Sequence, residues 1–245
     1  MNEVLKQLAE RKSVRVFTDE PIPEEAVQQI LQASFDAPTV GNMQMYSVIR
    51  VEDPELKKRL ADSCDHQPFI AEGKLVLVYC ADYLKWHDAF RNAGCEPRDL
   101  GLGDILLAID DTLIAAQNAV TAAWSLGIGS CYIGDIMENC EIQREILGLP
   151  EKVFPAALIV FGYPTEQQKE RKKPQRFDPK YMVFTDKYHR LEEQELEEMF
   201  APKAPEGMRE SWLQAFCKRK YNSDFSVEMT RSVEELLKPF RKEEE

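Results

Sequence analysis

Residues 104–129 read DILLAIDDTLIAAQNAVTAAWSLGIG. Leu106, Ile109, Leu113, Ala116, Val120 and Ala123–Trp124 recur at helical spacing, and Ala115, Ala119 and Ala122 fall on the other side. A helix that is apolar on nearly every face must be buried on most of them. The stretch therefore predicts a central helix, one that two subunits can share. Gly127 should stop it, since glycine takes the left-handed conformation at a helix C-terminus without strain. GIGSCYIGDI (127–136), directly after it, is expected to form a glycine-rich loop.

Around that helix the remaining elements can be placed. KLVLVYCAD (74–82) and AALIVFGYP (156–164) are continuous apolar runs of strand length, expected to be buried on both faces. YSVIRVED (46–53) alternates as a strand does. Helices are predicted at Val4, Leu5 and Leu8; from Pro23-Glu24-Glu25 through Val27, Ile30 and Leu31; in PELKKRLADS (54–63); and through Ile142, Ile146 and Leu147, ended by Gly148. After Pro164, EQQKERKKPQRFD (166–178) is polar and basic, the composition of an exposed loop. Residues 190–245 are too polar to form their own core. They still carry Trp212, Phe216, Phe225, Leu236 and Leu237, which need apolar surface elsewhere. Low complexity is confined to the terminal KEEE.

Composition excludes several classes. The 245 residues hold 31 Lys+Arg against 43 Asp+Glu, a net charge of −12, and the pI is about 4.9. Such a chain lacks the cationic surface that nucleic acids and anionic membranes select. The N-terminus, MNEVLKQLAERK, is too polar for a signal peptide, and no apolar run approaches the roughly 20 residues that span a bilayer. Six cysteines and three histidines are scattered without metal-ligand or disulfide spacing. A cytoplasmic protein with reduced thiols is expected, with no metal.

Against this acidic background, RKSVR (11–15) gathers three cations around a hydroxyl. Taken alone it reads as a solvated helix end. Three further stretches change its meaning: DAPTVGNMQMYSVIRV (36–51), GIGSCYIGDI (127–136) and KKPQRF (172–177). In this order the four resemble the nitroreductase/flavin reductase family, FMN-dependent reductases that use NAD(P)H. RKSVRVFTDEPI, APTVGNMQMYSVIRVED and GIGSCYIGDI resemble the larger, NADPH-preferring branch. The resemblance covers most of residues 1–190.

The resemblance implies a cofactor site. Arg11, Lys12, Ser13 and Arg15 would grip the FMN phosphate or its ribityl chain, because guanidinium groups match phosphate oxygens. Lys173 and Arg176 match a second basic patch of the family. The family pattern there is Lys-Pro-Arg, and the inserted Gln175 makes Lys172 an alternative. Thr39, where many members have Ser, Asn42 and Gln44 would serve the polar edge of the ring, and Gln67 its pyrimidine side. The backbone of Cys131, Tyr132, Ile133 and Gly134 would pass over one ring face, with Gly129 and Gly134 permitting close approach. His66, beside Gln67, is a further candidate for the pocket. The chain shows no Ser-His-Asp or Cys-His set and no GxGxxG fingerprint.

The expected fold is α+β: a nitroreductase-like mixed central β-sheet flanked by helices, in an intertwined homodimer. Residues 1–190 would form the FMN-binding domain, and 191–245 a helical extension packing on the dimer partner. The implied function is ping-pong hydride transfer from NAD(P)H to nitroaromatics, quinones or free flavin, with no catalytic side chain of the protein's own. The alternatives are a flavin-binding protein without turnover, or a dehalogenase or flavin-destroying relative on the same fold.

Overall fold

The two apolar runs form the centre of the sheet. In the computed structural model of the chain, which describes residues 1–241, β2 (Leu75–Asp82) and β4 (Val153–Gly162) pair antiparallel with Leu77 opposite Ile159 and Val78 opposite Leu158. β1 (Tyr46–Arg50) adds to the outer side of β2, and β3 (Gly129–Ile133) to the outer side of β4. The order is β1-β2-β4-β3. All four strands pair antiparallel; the parallel component is a single bridge, Ser13 to Ser130. β4 begins earlier than the expected 156. β3 is a strand where a glycine-rich loop was expected, because Cys131, Tyr132 and Ile133 alternate between two buried sheet faces.

The helices in chain order are α1 (Glu3–Glu10), α2 (Glu24–Phe35), α3 (Pro54–Ser63), α4 (Phe69–Glu72), α5 (Leu84–Asn92), α6 (Leu102–Ser125), α7 (Cys140–Leu147), α8 (Glu166–Glu170), α9 (Glu193–Phe200), α10 (Arg209–Phe216) and α11 (Asp224–Leu237). One sheet face, with Leu75, Leu77, Tyr79, Ile159 and Phe161, packs on α2 and α6. The other, with Val76, Val78, Leu158 and Val160, packs on α3, α4 and α7. Tyr79 is fully buried and shares a 2.8 Å hydrogen bond with Ser34; burial pushes its phenol up to about 12.

The helix α6 is central, as its sequence predicts, and ends where Leu126 and Gly127 (φ 75°) turn the chain. The face it buries differs from the expected stripe. Ile105, Ala108, Ala115, Ala116, Ala119, Val120 and Ala123 are buried, whereas Leu106 and Leu113 are 57% and 39% exposed. Both faces are apolar, so periodicity alone could not rank them; the small residues allow close approach to the sheet. By length and composition this 24-residue helix, with an 18-residue window of mean hydropathy 1.3, would be able to cross a bilayer, contrary to the expectation that no run comes near. It lies in the core with Asp104 and Asp111 buried along it.

The chain divides into two compact units: residues 1–171 together with the described residues from 228 onward, and Lys172–Val227. The expected boundary at 190/191 therefore falls inside the second unit. The end of the extension belongs to the first unit because Leu236 and Phe240 are buried in this chain's own core beside Met45, Ala81 and Ile105. Ser232 Oγ donates to Met137 O (2.6 Å) and accepts from Cys140 N (3.0 Å), and Arg231 pairs with Glu141 at 2.8 Å. The second unit is held by aromatic pairs and ion pairs. Phe177 meets Phe200 edge-on at 5.2 Å, Trp212 stacks on Phe216 at 5.2 Å, and Arg209 pairs with Glu197 at 2.6 Å. Neither α9 nor α10 buries a residue. The terminal KEEE, 242–245, lies outside the described residues.

Glu138 precedes α7 and is buried, with Oε1 lacking a partner among the described residues. Burial, with Asp135, Asp65 and Glu228 nearby, pushes its carboxyl up to about 7. A carboxyl raised above its unfolded value keeps its proton in the fold, so its stability is complete below the unfolded value, about 4.3, and declines as pH rises toward 7. Replacing Glu138 with Gln removes the ionisable group. Thermal melts should show the variant roughly 2–6 °C more stable than wild type at pH 8, with the difference vanishing near pH 4.

Candidate functional site: a basic strap on an edge strand

The helix α1 starts at Asn2, whose side chain accepts from Leu5 N at 2.9 Å, and closes with Arg11 N donating to Gln7 O at 3.0 Å. No basic residue occupies its last turn. Arg11 is thus the C-cap, and the rest of RKSVR leaves the helix and runs extended along the free edge of β3, where Val14 N donates to Ser130 O at 2.9 Å. Fully buried Val14 anchors the strap. A Cβ on Gly129 would lie 2.7 Å from Val14, so the close approach of this glycine is to the chain's own strap.

The cations of the strap divide by their partners. Lys12 Nζ donates to Lys169 O at 2.6 Å and also to Arg171 O, while the Arg171 guanidinium returns to Ser13 O. Lys12 therefore fixes the segment after α8, and Arg171 adds a cation not among those expected from the sequence. Its signal in the sequence is membership of the KERKKPQR run, just before the Lys-Pro pattern. Arg15 is exposed. Arg11 is half-buried, and its buried Nη1 has no partner among the described residues.

Beneath the strap lies Cys131. Burial pushes its thiol up, opposed by Arg15, Ser13 and Arg11 beside it, so it stays protonated at neutral pH and offers no thiolate nucleophile. Cys131 and Ile133 point into the core on the α3/α7 face. Tyr132 points to the α6 face, its OH 3.5 Å from Gln117 Oε1. Only the backbone of these three residues remains for a ligand on the sheet edge. At Gly134 an added Cβ would meet nothing within 4 Å and φ is not left-handed. The chain's own packing does not require this glycine, which leaves room for an outside group.

Two further groups of expected residues are held elsewhere. Thr39 Oγ1 donates to Asp111 Oδ2 at 2.6 Å and accepts from Gln44 N at 2.8 Å. Gln44 Nε2 donates to Phe35 O at 3.2 Å, and Asn42 is exposed. Gln67 Nε2 donates to Cys64 O at 2.9 Å, leaving Oε1 as an acceptor. His66 is 85% exposed, 4.0 Å from Asp62. Among the described residues no hydrogen bond joins the 39–45 loop to the strap or to Gln67. In one chain the strap and β3 come together, while the loop is tied to α6 and Gln67 to α3, on opposite sheet faces. In the second unit, Lys173 is half-buried, and exposed Arg176 shares a cleft of about 270 Å³ with Lys180 and Lys203.

The Nitroreductase family pattern matches residues 8–163 of the chain, a span that holds the strap, the loop, Gln67 and β3. The chain belongs to the nitroreductase family. It is 36% identical to the FMN reductase (NAD(P)H) of Bacillus subtilis strain 168 over 173 residues, 70% of each chain. It is 30% identical to the oxygen-insensitive NADPH nitroreductase of Salmonella typhimurium strain LT2 over 220 residues, 86% of this chain and 88% of that one. The solved NADPH:FMN oxidoreductase from Vibrio harveyi, complexed with NAD+, superposes with a TM-score of 0.81 at 25% identity, covering 96% of this chain and 98% of that one. The α+β fold is that of the family.

Because Gly129 accommodates Val14, Gly129→Ala should force the strap off β3. Overpacking of this kind costs about 1–3 kcal/mol, which for a chain of this size lowers the melting temperature by roughly 2–10 °C. Differential scanning fluorimetry of the flavin-free protein checks this; an unchanged melt would mean that the strap is not seated on Gly129.

Proposed function

We propose that the protein catalyses ping-pong electron transfer, in which NAD(P)H and an acceptor (a nitroaromatic, a quinone or free flavin) occupy one site in turn. The protein is an NAD(P)H-dependent oxidoreductase with FMN as its cofactor. The observation that carries the cofactor reading is the buried, unpartnered Nη1 of Arg11 beside exposed Arg15 and the Arg171–Ser13 contact. A desolvated guanidinium N–H without an acceptor is costly, and a phosphate dianion supplies the missing acceptor with matching geometry. Gly134, with open space where a side chain would stand, fits a flat ring passing over the β3 backbone.

FMN bound there supplies the hydride acceptance and donation that no side chain of the site can perform. The chain's residues bind and orient. Arg11 and Arg15 hold the anionic end, Gln67 Oε1 offers an acceptor, and the 39–45 loop offers Asn42. No histidine lies in the strap and the Cys131 thiol is protonated, so these residues contribute position and electrostatics rather than acid–base steps.

The site is proposed to be completed by a second copy. Leu106, Leu113 and Ile114 leave one face of α6 apolar and exposed, and Val4, Leu5 and Leu8 do the same on α1. Covering such faces calls for an obligate interface of more than about 2,000 Å². A homodimer in the cytoplasm, its loop and strap supplied by different copies, is the arrangement this reading favours.

Chromatography of heat-released cofactor should give FMN, and NADPH should bleach the yellow protein in the absence of air; recovery of FAD, or of no flavin, would overturn the reading. A yellow protein that NADPH does not bleach would instead favour flavin binding without turnover. Arg15→Ala removes a charge-assisted contact worth about 1.5–3 kcal/mol, so FMN should bind at least about tenfold more weakly in a fluorescence titration.

A further inference from the structure

Asp111 lies midway along α6 and is fully buried. All three hydrogen bonds to its carboxylate come from one loop: Thr39 Oγ1 at 2.6 Å, Val40 N at 2.9 Å and Met45 N at 2.9 Å. A carboxylate taken out of water this completely is retained only when its oxygens are fully engaged. Here the loop folds around it, and the conformation is demanding. Gly41, Asn42 and Gln44 all stand in the left-handed region, at φ 57°, 58° and 47°. Asn tolerates that region better than most residues, and a long side chain such as Gln does not. Each of these three positions lies between backbone or side-chain groups that Asp111 fixes.

The bonding also sets polarity. Thr39 has one hydroxyl proton, and it is committed to Asp111; Thr39 Oγ1 in turn accepts from Gln44 N. Toward a ligand, Thr39 can therefore only accept, with its one remaining lone pair. Gln44 Nε2 donates to Phe35 O, whereas the Asn42 side chain is exposed and its backbone N–H donates to Thr39 O at 3.3 Å.

We propose that Asp111 is the positioning residue for the ring end of the flavin site. It holds the 39–45 loop in shape, fixes Thr39 as an acceptor for a ring N–H, and presents Asn42 as the group free to donate or accept. This rests on the flavin reading above. It assigns a role to a core carboxylate that itself touches no ligand.

The test uses the full-length protein stripped of flavin and titrated with two probes, FMN and riboflavin. Riboflavin lacks the phosphate, so it reports on the ring end alone. Asp111→Asn places an N–H where acceptors are needed, and Thr39→Val removes the hydroxyl with little change of volume. Each should weaken riboflavin and FMN by the same factor, about tenfold or more for Asp111→Asn. The ratio of the two affinities should stay at its wild-type value, and the visible circular dichroism of the bound flavin should change. Thr39→Ser should restore wild-type behaviour. If Asp111→Asn does not fold, as a melt of the flavin-free protein will show, Thr39→Val decides. A folded Thr39→Val that binds riboflavin as wild type does overturns the proposal, and so does a loss confined to FMN. Wild-type protein that binds neither flavin overturns the flavin reading itself, an outcome distinct from both.

Discussion

The small face of α6 is the constraint on which the first unit is built. Ala108, Ala115, Ala116, Ala119 and Ala123 are fully buried: the last three opposite Leu77, Tyr79, Ile159 and Phe161 of the sheet, Ala108 beside Ala81 and Phe154, and Ala115 beside Tyr46. Small residues on one layer facing large ones on the other allow close packing without voids. Two consequences follow from that depth. Asp111, which shares this face with Ala108 and Ala115, is carried out of solvent, and the 39–45 loop has to come to it. The long residues of the helix, Leu106, Leu113 and Ile114, are left on the outer side, where this chain covers none of them fully.

Much of this was legible in the sequence, and the misses share a cause. The strands β2 and β4, the helices α2 and α3 and the glycine stop of α6 follow from local pattern. Which face of α6 is buried does not, because two apolar faces differ only in size, and size matters only against a particular partner surface. GSCYI reads as a loop from its glycine, yet its neighbours Val14 and Val160 make it a strand. The limit of the first unit at 171 depends on Lys12 and Arg171 reaching across more than 150 residues, and the return of Leu236 and Phe240 on a core assembled from distant segments. In the site, RKSVR was visible because it contradicts the charge of the chain. Asp111 was not, since an aspartate within a helix carries no mark of whether water or a loop will meet it.

The strap shows how an acidic chain can keep a cationic site without a broad basic surface. Lys12 and Arg171 direct their charge to backbone carbonyls, so their hydrogen-bonding capacity sets the geometry of the segment. They act as struts. Arg15 stays in solvent, and Arg11 is left with a buried N–H that nothing among the described residues accepts. For the proposed phosphate contact a lysine at position 11 would serve poorly, because a flexible ammonium lacks the planar fork that meets two phosphate oxygens at once.

At the other end of the candidate site the logic is inverted. There a buried anion, Asp111, gathers N–H and O–H donors inward, which leaves Thr39 Oγ1 able only to accept, while exposed Asn42 can donate or accept. A ligand that used both ends would bring acceptors to the strap and an N–H to Thr39. A phosphate is all acceptor, and the pyrimidine portion of a flavin ring carries an N–H between two carbonyls. If the strap and the loop form one site, as proposed, that asymmetry favours a flavin mononucleotide over a simple polyanion, which has no N–H to offer Thr39.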